Sequence, residues 1–176
     1  LFLRHAEPDY EHDSLTEKGN REALFLAKRI KKEFPQIKQF YCSPLGRAKK
    51  TASYTLKEFD QEAIVFPWLR EFDASIHRPD DNNNMHICWD WMPADVNDHP
   101  DLYSPSRFDK EPILQESDFK AKYDEVINGF DRILEHHGYQ RDGTMYRVIS
   151  SNHDTIAIFS HFGVSSIMIS HLMNTS

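Results

Sequence analysis

Five side chains scattered along this sequence could together handle a phosphoryl group: Arg4, His5, Arg47, Glu71 and His161. They amount to two guanidiniums, two imidazoles and one carboxylate. Arginine presents a planar fork of donors that matches phosphate oxygens. A neutral imidazole can attack phosphorus to form a phosphohistidine, which divides one difficult displacement into two easier ones. Taken singly, a histidine after a strand is mostly a structural residue and a surface arginine is mostly solvated. Five placed alike point instead to a phosphate pocket holding a candidate nucleophile.

What places them alike is the order of the elements. Leu1-Phe2-Leu3 reads as a short buried strand that delivers Arg4 and His5 at its end. A helix follows, with Thr16 as N-cap, Ala23, Ala27, Ile30 and Phe34 on one face, and Pro35 as the stop. Phe40-Tyr41-Cys42 reads as a second strand. Ser43-Pro44 then predicts a cap and a proline at the first helical position, with Arg47 in the first turn and Leu45, Ala48, Ala52, Leu56 and Phe59 as the buried stripe. Ile64-Val65-Phe66 is a third strand, after which comes Glu71. Ser117 caps a further helix with Phe119, Tyr123, Val126, Phe130, Ile133 and His137 on one side and Gly138 past its end. Arg147–Ser150 and Ile156–Ser160 are strand-like, His161 follows the latter, and an apolar helix runs from about Gly163 to Met173. Strands alternating with helices predict an α/β domain whose sheet is mostly parallel and covered by helices on both faces. Ligands of such sheets bind beyond the carboxyl ends of the strands, which is where the five residues lie. Helix N-termini near Pro44 and Gly163 would add backbone donors for an anion.

Between about Asp73 and Glu116 the periodicity breaks, with prolines, the polar run Asp80–Asn84, and Trp89 and Trp91. This reads as a long insertion after the third strand, either a binding loop or lid or an irregular packed subdomain. Arg78, His86 and Trp89 are its candidate substrate contacts, along with the Asn82–Asn84 run.

Composition narrows the function classes. With 176 residues, 39% hydrophobic and 12% aromatic, the chain suits one domain, 1–176, with 73–116 inside it. A formal charge of −7 argues against a general nucleic-acid binder. No run approaches the ~20 apolar residues that a membrane helix needs. Two cysteines, Cys42 and Cys88, cannot build a disulfide framework or a four-thiolate zinc site. A cytoplasmic location is expected, with no membrane partner. The chain opens without Met on an apolar run and stops soon after Leu172-Met173, so truncation of a longer domain at its termini is also expected.

Four motifs in order resemble the histidine phosphatase superfamily, the phosphoglycerate mutase-like clan. Leu3-Arg4-His5-Ala6-Glu7 is similar to its Arg-His-Gly motif, with Leu15–Gly19 similar to the helix start that follows. Ser43–Ala52 resembles its second-arginine motif, Leu69-Arg70-Glu71-Phe72 its acid-bearing segment, and Ser160–Val164 its second-histidine motif. The resemblance implies a phosphoglycerate mutase-like fold, His5 as nucleophile, Arg4, Arg47 and His161 as ligands of the phosphoryl oxygens, and Glu71 as proton donor to the leaving oxygen. It implies no metal and no cofactor, and a small-molecule phosphomonoester as substrate. Two positions depart from the pattern: Ala6 stands where Gly is usual, and Glu11 where many members carry Asn. The longer mutases carry substrate-binding segments not found here, so the expected activity is hydrolysis. The alternatives are a mutase and a module that binds a phosphorylated ligand without turnover.

Overall fold

In a computed structural model the described residues are 1–78, 81–91 and 93–175, the side chains of Asn82, Asn83, Pro93 and Asp95 excepted. Strands and helices follow in the order β1 (Phe2–Arg4), β2 (Pro8–Asp9), β3 (Ser14–Leu15), α1 (Glu17–Glu33), β4 (Ile37–Cys42), α2 (Gly46–Phe59), β5 (Ala63–Val65), β6 (Ser75–Arg78) and β7 (Asp81–Ile87). Then come α3 (Pro93–Asn97), α4 (Pro112–Gln115), α5 (Phe119–His136), β8 (Tyr139–Asp142), β9 (Met145–Val148), β10 (Thr155–Ser160) and α6 (Phe162–Met173). The chain divides into two compact units, one of residues 1–71 and 151–165, the other of 72–150 and 166–176.

The first unit is built on a parallel four-stranded sheet in the order β1-β10-β4-β5. Its central strand β10 is an apolar run buried from Ala157 to Ser160, as a strand covered on both sides must be. Phe40 and Phe159 are fully buried in one cluster with Ile30, Ile37, Cys42, Ala48, Ala52 and Ala157. Each such phenylalanine contributes about 1.5–3 kcal/mol by leaving water. Helix α1 starts as the sequence predicts, with the Thr16 hydroxyl accepting the Gly19 N–H at 3.0 Å. Phe34 departs from its expected face: it is the C-cap and 37% exposed, because Pro35 ends the helix one residue too early to turn it inward.

Helix α2 also differs at its start. It begins at Gly46, not at Pro44, and Ser43 does not cap it. The cap comes from elsewhere in the chain. Asp13 accepts the Gly46 N–H at 2.6 Å, and a Cβ at position 46 would collide with the Asp13 carbonyl, so only glycine lets the two segments come this close.

In the second unit, segment 72–116 holds the antiparallel hairpin β6–β7, two short helices and 3₁₀ turns. Pro79, Asp80 and Met92 lie outside the described residues. Phe72, Phe108, Phe119 and Tyr123 form an aromatic cluster with neighbouring ring centroids 5.1 to 6.1 Å apart. Gly138, at φ +89°, turns the chain out of α5 into the hairpin β8–β9. The expected strand through Ser150 stops at Val148, leaving Ile149 exposed. Among the described residues no helix is long and apolar enough to cross a membrane.

Candidate active site

Strand register assembles the site. Arg4 pairs with Ser160 across β1–β10, so the next residue of each strand, His5 and His161, comes to the same sheet end. Beyond the strands proper, the His5 N–H still bonds the Ser160 carbonyl at 3.1 Å and the Ser43 N–H the Phe159 carbonyl at 2.9 Å. Two chain segments, those of His5 and Ser43, are thereby pinned to the tip of β10, and the His5 and His161 rings lie 5.1 Å apart.

His5 is nearly buried, and its Nδ1–H donates to the Ala6 carbonyl at 2.8 Å. A carbonyl can only accept, so Nδ1 carries the hydrogen and the neutral ring keeps its lone pair on Nε2. Burial, and then the positive charges of Arg47 and Arg4, push the His5 pKa below its ordinary value. The ring is therefore held in the neutral form that a nucleophile needs. Ala6 carries no positive φ, so the place usually taken by glycine accepts alanine without strain. The Ala6 N–H is bound by the Thr51 hydroxyl at 3.0 Å, which itself donates to the Arg47 carbonyl at 2.8 Å and ties this turn to α2.

Arg47 sits in the first turn of α2 with 13% of its side chain exposed. Its Nη1 bonds Asp13 Oδ1 at 2.8 Å, while its buried Nε has no partner among the described residues. Such an unpaired N–H on a fixed guanidinium is suited to an anion's oxygen. Asp13 itself is in the left-handed region at φ +44°. Burial raises its pKa, but the bonds from the Gly46 amide and the Arg47 guanidinium outweigh that and hold the carboxyl below its usual range.

His161 is fully buried. Its Nε2 is hydrogen-bonded to Ser43 Oγ at 2.7 Å, and its Nδ1 has no partner among the described residues. Burial, reinforced by Arg47 and His5, lowers its pKa to about 3. Arg4 is exposed and acts on both imidazoles through its charge. Glu71 Oε1 accepts from the N–H groups of Gly163 and Val164 at 2.9 and 3.4 Å, which fixes the carboxyl on the first turn of α6.

All five residues singled out in the sequence thus belong to one unit, at the carboxyl end of its sheet. Arg78, His86 and Trp89 belong to the other unit. There Arg78 Nη1 bonds Asp90, His86 Nε2 pairs with Asp81 at 3.0 Å, and the Trp89 ring lies 6.2 Å from that of Phe72. Glu11, which stands where many members carry Asn, is exposed, and the carboxylate that reaches Arg47 is Asp13. Ser43 and Thr51 lie within the second-arginine motif, but nothing there marked them as partners of His161 and Ala6, and Asp13 carried no signal in the sequence. Among the described residues no cluster of His, Cys, Asp or Glu could hold a metal ion.

Solved structures share this architecture. Phosphoserine phosphatase from Entamoeba histolytica, a mutant form in complex with phosphoserine, is 20% identical with a TM-score of 0.59, over 98% of this chain and 78% of its own. The alpha-ribazole phosphatase from Shigella flexneri is 21% identical with a TM-score of 0.54, over 96% and 76%. YhfR from Bacillus stearothermophilus is 22% identical with a TM-score of 0.56, over 99% and 79%. At these identities the likeness shows the phosphoglycerate mutase-like α/β fold. No curated protein sequence matches the chain. The family model described as the histidine phosphatase superfamily (branch 1) matches residues 1–176, and with its motifs in order on this fold, the chain belongs to that superfamily.

Proposed function

We propose that the chain hydrolyses a small phosphomonoester through a covalent intermediate on His5. The observation that carries this reading is the state of His5: Nδ1 is committed to the Ala6 carbonyl, so Nε2 offers its lone pair, while the buried Nε of Arg47 stands unpaired in the same site. In the first step Nε2 bonds to phosphorus as the ester P–O bond breaks. Arg4, Arg47 and His161 meet the charge on the three remaining oxygens. Glu71, protonated, gives its hydrogen to the departing oxygen, which leaves as an alcohol. In the second step Glu71, now a carboxylate, takes a proton from water, whose oxygen attacks phosphorus and breaks the P–N bond. Inorganic phosphate and free His5 result. The scheme calls on no metal or cofactor, since fixed cations and N–H donors supply the stabilisation.

The phosphatases among the structural neighbours support this reading, and one of them was solved with phosphoserine bound. A part in choosing the substrate is proposed for Arg78, His86 and Trp89, whose side chains are organised within segment 72–116. Sugar phosphates, nucleotides, phosphoglycerates and phosphopeptides, assayed for phosphate release with wild type and His5→Ala, test the proposal. Release that vanishes in the variant supports hydrolysis at His5. A phosphoglycerate that is isomerised without phosphate release would mark a mutase, and binding without turnover of any member would mark a binding module. Trp89→Ala and His86→Ala should reorder the panel while sparing a small aryl phosphate.

A further inference from the structure

We infer that Ser43 is a positioning residue that sets the tautomer of His161, holding its hydrogen on Nδ1 so that the ring can donate to a phosphoryl oxygen. The inference rests on the function proposed above, and deepens it at one of its ligands.

Two arrangements fit the 2.7 Å contact between Ser43 Oγ and His161 Nε2. Either the Ser43 hydroxyl donates to a bare Nε2, or Nε2–H donates to the hydroxyl. The Leu45 N–H decides between them, because it already donates to Ser43 Oγ at 3.2 Å. In the first arrangement the hydroxyl accepts once from Leu45 and gives its own hydrogen to Nε2, so nothing is left over. In the second the hydroxyl accepts twice, and its hydrogen needs another acceptor. Among the described residues the hydroxyl has these two hydrogen-bond partners, and Ser43 is fully buried, so that hydrogen would be stranded away from water.

The same choice decides what His161 offers a ligand. Nε2 is occupied by Ser43, so the side chain's available nitrogen is Nδ1, buried and unpartnered among the described residues. If Nδ1 bears the hydrogen it donates to an anion. If it bears the lone pair it repels one. Burial and the neighbouring cations keep the ring neutral, so a second hydrogen does not rescue the wrong tautomer. The backbone of the second-arginine segment thus speaks to a ring 118 residues away through one hydroxyl.

Long-range ¹H–¹⁵N correlation spectra of histidine-labelled protein at pH 7 report which ring nitrogen is protonated, and His161→Gln identifies the resonances. Wild type should show Nδ1–H with a bare Nε2, and an Nε2–H ring would overturn the inference. Ser43→Ala should lose the single defined tautomer, bind orthovanadate roughly 10-fold or more weakly, and lose about 10²-fold in turnover of p-nitrophenyl phosphate. Ser43→Thr, which restores the hydroxyl, should recover the Nδ1–H signature and most of the vanadate affinity. An unchanged His161 spectrum in Ser43→Ala would also overturn it. Should Ser43→Ala fail to fold, the wild-type spectrum still decides. The spectra need no turnover, so an inactive protein with the Nδ1–H ring would contradict the proposed function alone, and an active one with Nε2–H would contradict this inference alone.

Discussion

Removing the Asp13 carboxylate probes how the site is held, because one side chain both caps α2 and pairs with Arg47. In Asp13→Ala the Gly46 N–H loses its 2.6 Å acceptor, which as a helix cap is worth about 0.5–2 kcal/mol. The ion pair with Arg47 is half exposed on the Asp13 side and adds only about 0.2–1 kcal/mol. Alanine must also take up φ +44°, which costs roughly 1 kcal/mol for a residue with no polar side chain to offset it. Together these come to about 2–4 kcal/mol, or a fall in Tm of roughly 4–16 °C for a chain of this length. Asp13→Asn separates the contributions. Asparagine tolerates the left-handed region and keeps one oxygen for the Gly46 amide, so it should lose under about 1 kcal/mol, and less than about 4 °C. Thermal unfolding followed by circular dichroism at pH 7 measures both, and orthovanadate inhibition shows whether Arg47 has been released. Equal Tm values for wild type and Asp13→Ala would refute the capping argument. Equal losses in the two variants would show that charge, not the cap, is what matters.

Three other outcomes follow from the same geometry. Arg47→Lys keeps the charge but loses the planar fork, so inhibition by phosphate and vanadate should weaken and turnover should fall strongly; near-wild-type values for both would remove Arg47 from the pocket. Glu71→Gln should slow alkyl phosphates far more than p-nitrophenyl phosphate, whose leaving group departs without a proton, whereas equal losses would point to another acid. His161 binds a proton near pH 3 when folded and near its ordinary pH 6.5 when unfolded, so across that window the unfolded chain holds more protons and stability rises with pH. Denaturant unfolding should therefore show full stability above about pH 6.5 and a loss of at most ~1.4 kcal/mol per pH unit from this group on acidification, a slope that His161→Asn should reduce and that, if unchanged, would contradict a buried neutral His161.

The elements that local chemistry specifies were legible in the sequence. Thr16 announces α1 because a hydroxyl three residues before Gly19 can bind its amide, and the structure shows that bond. The placement of His5 and His161 followed from strands that end at Arg4 and Ser160, and their register brings the two rings together. What local patterns do not carry is a polar side chain whose partner is remote. Ser43 before a proline looks like a helix cap, yet its hydroxyl is used by His161. Asp13 is the last residue of the turn before the short strand β3, with nothing to mark it, yet it caps a helix 33 residues on. Segment 73–116 lacks a period because its buried apolar residues, Ala74 and Ile76 at the hairpin and Leu114 on α4, come from separate short elements with no single apolar face.

The central claim, that His5 is phosphorylated in turnover, is tested most directly by rapid acid-free quenching of wild type with a ³²P-labelled substrate, followed by peptide mapping. The account predicts a base-stable, acid-labile phosphoryl group on the peptide containing His5, formed within the first turnover and absent in His5→Ala. An acid-stable phosphate ester on a serine or threonine, or full turnover by His5→Ala, would contradict it.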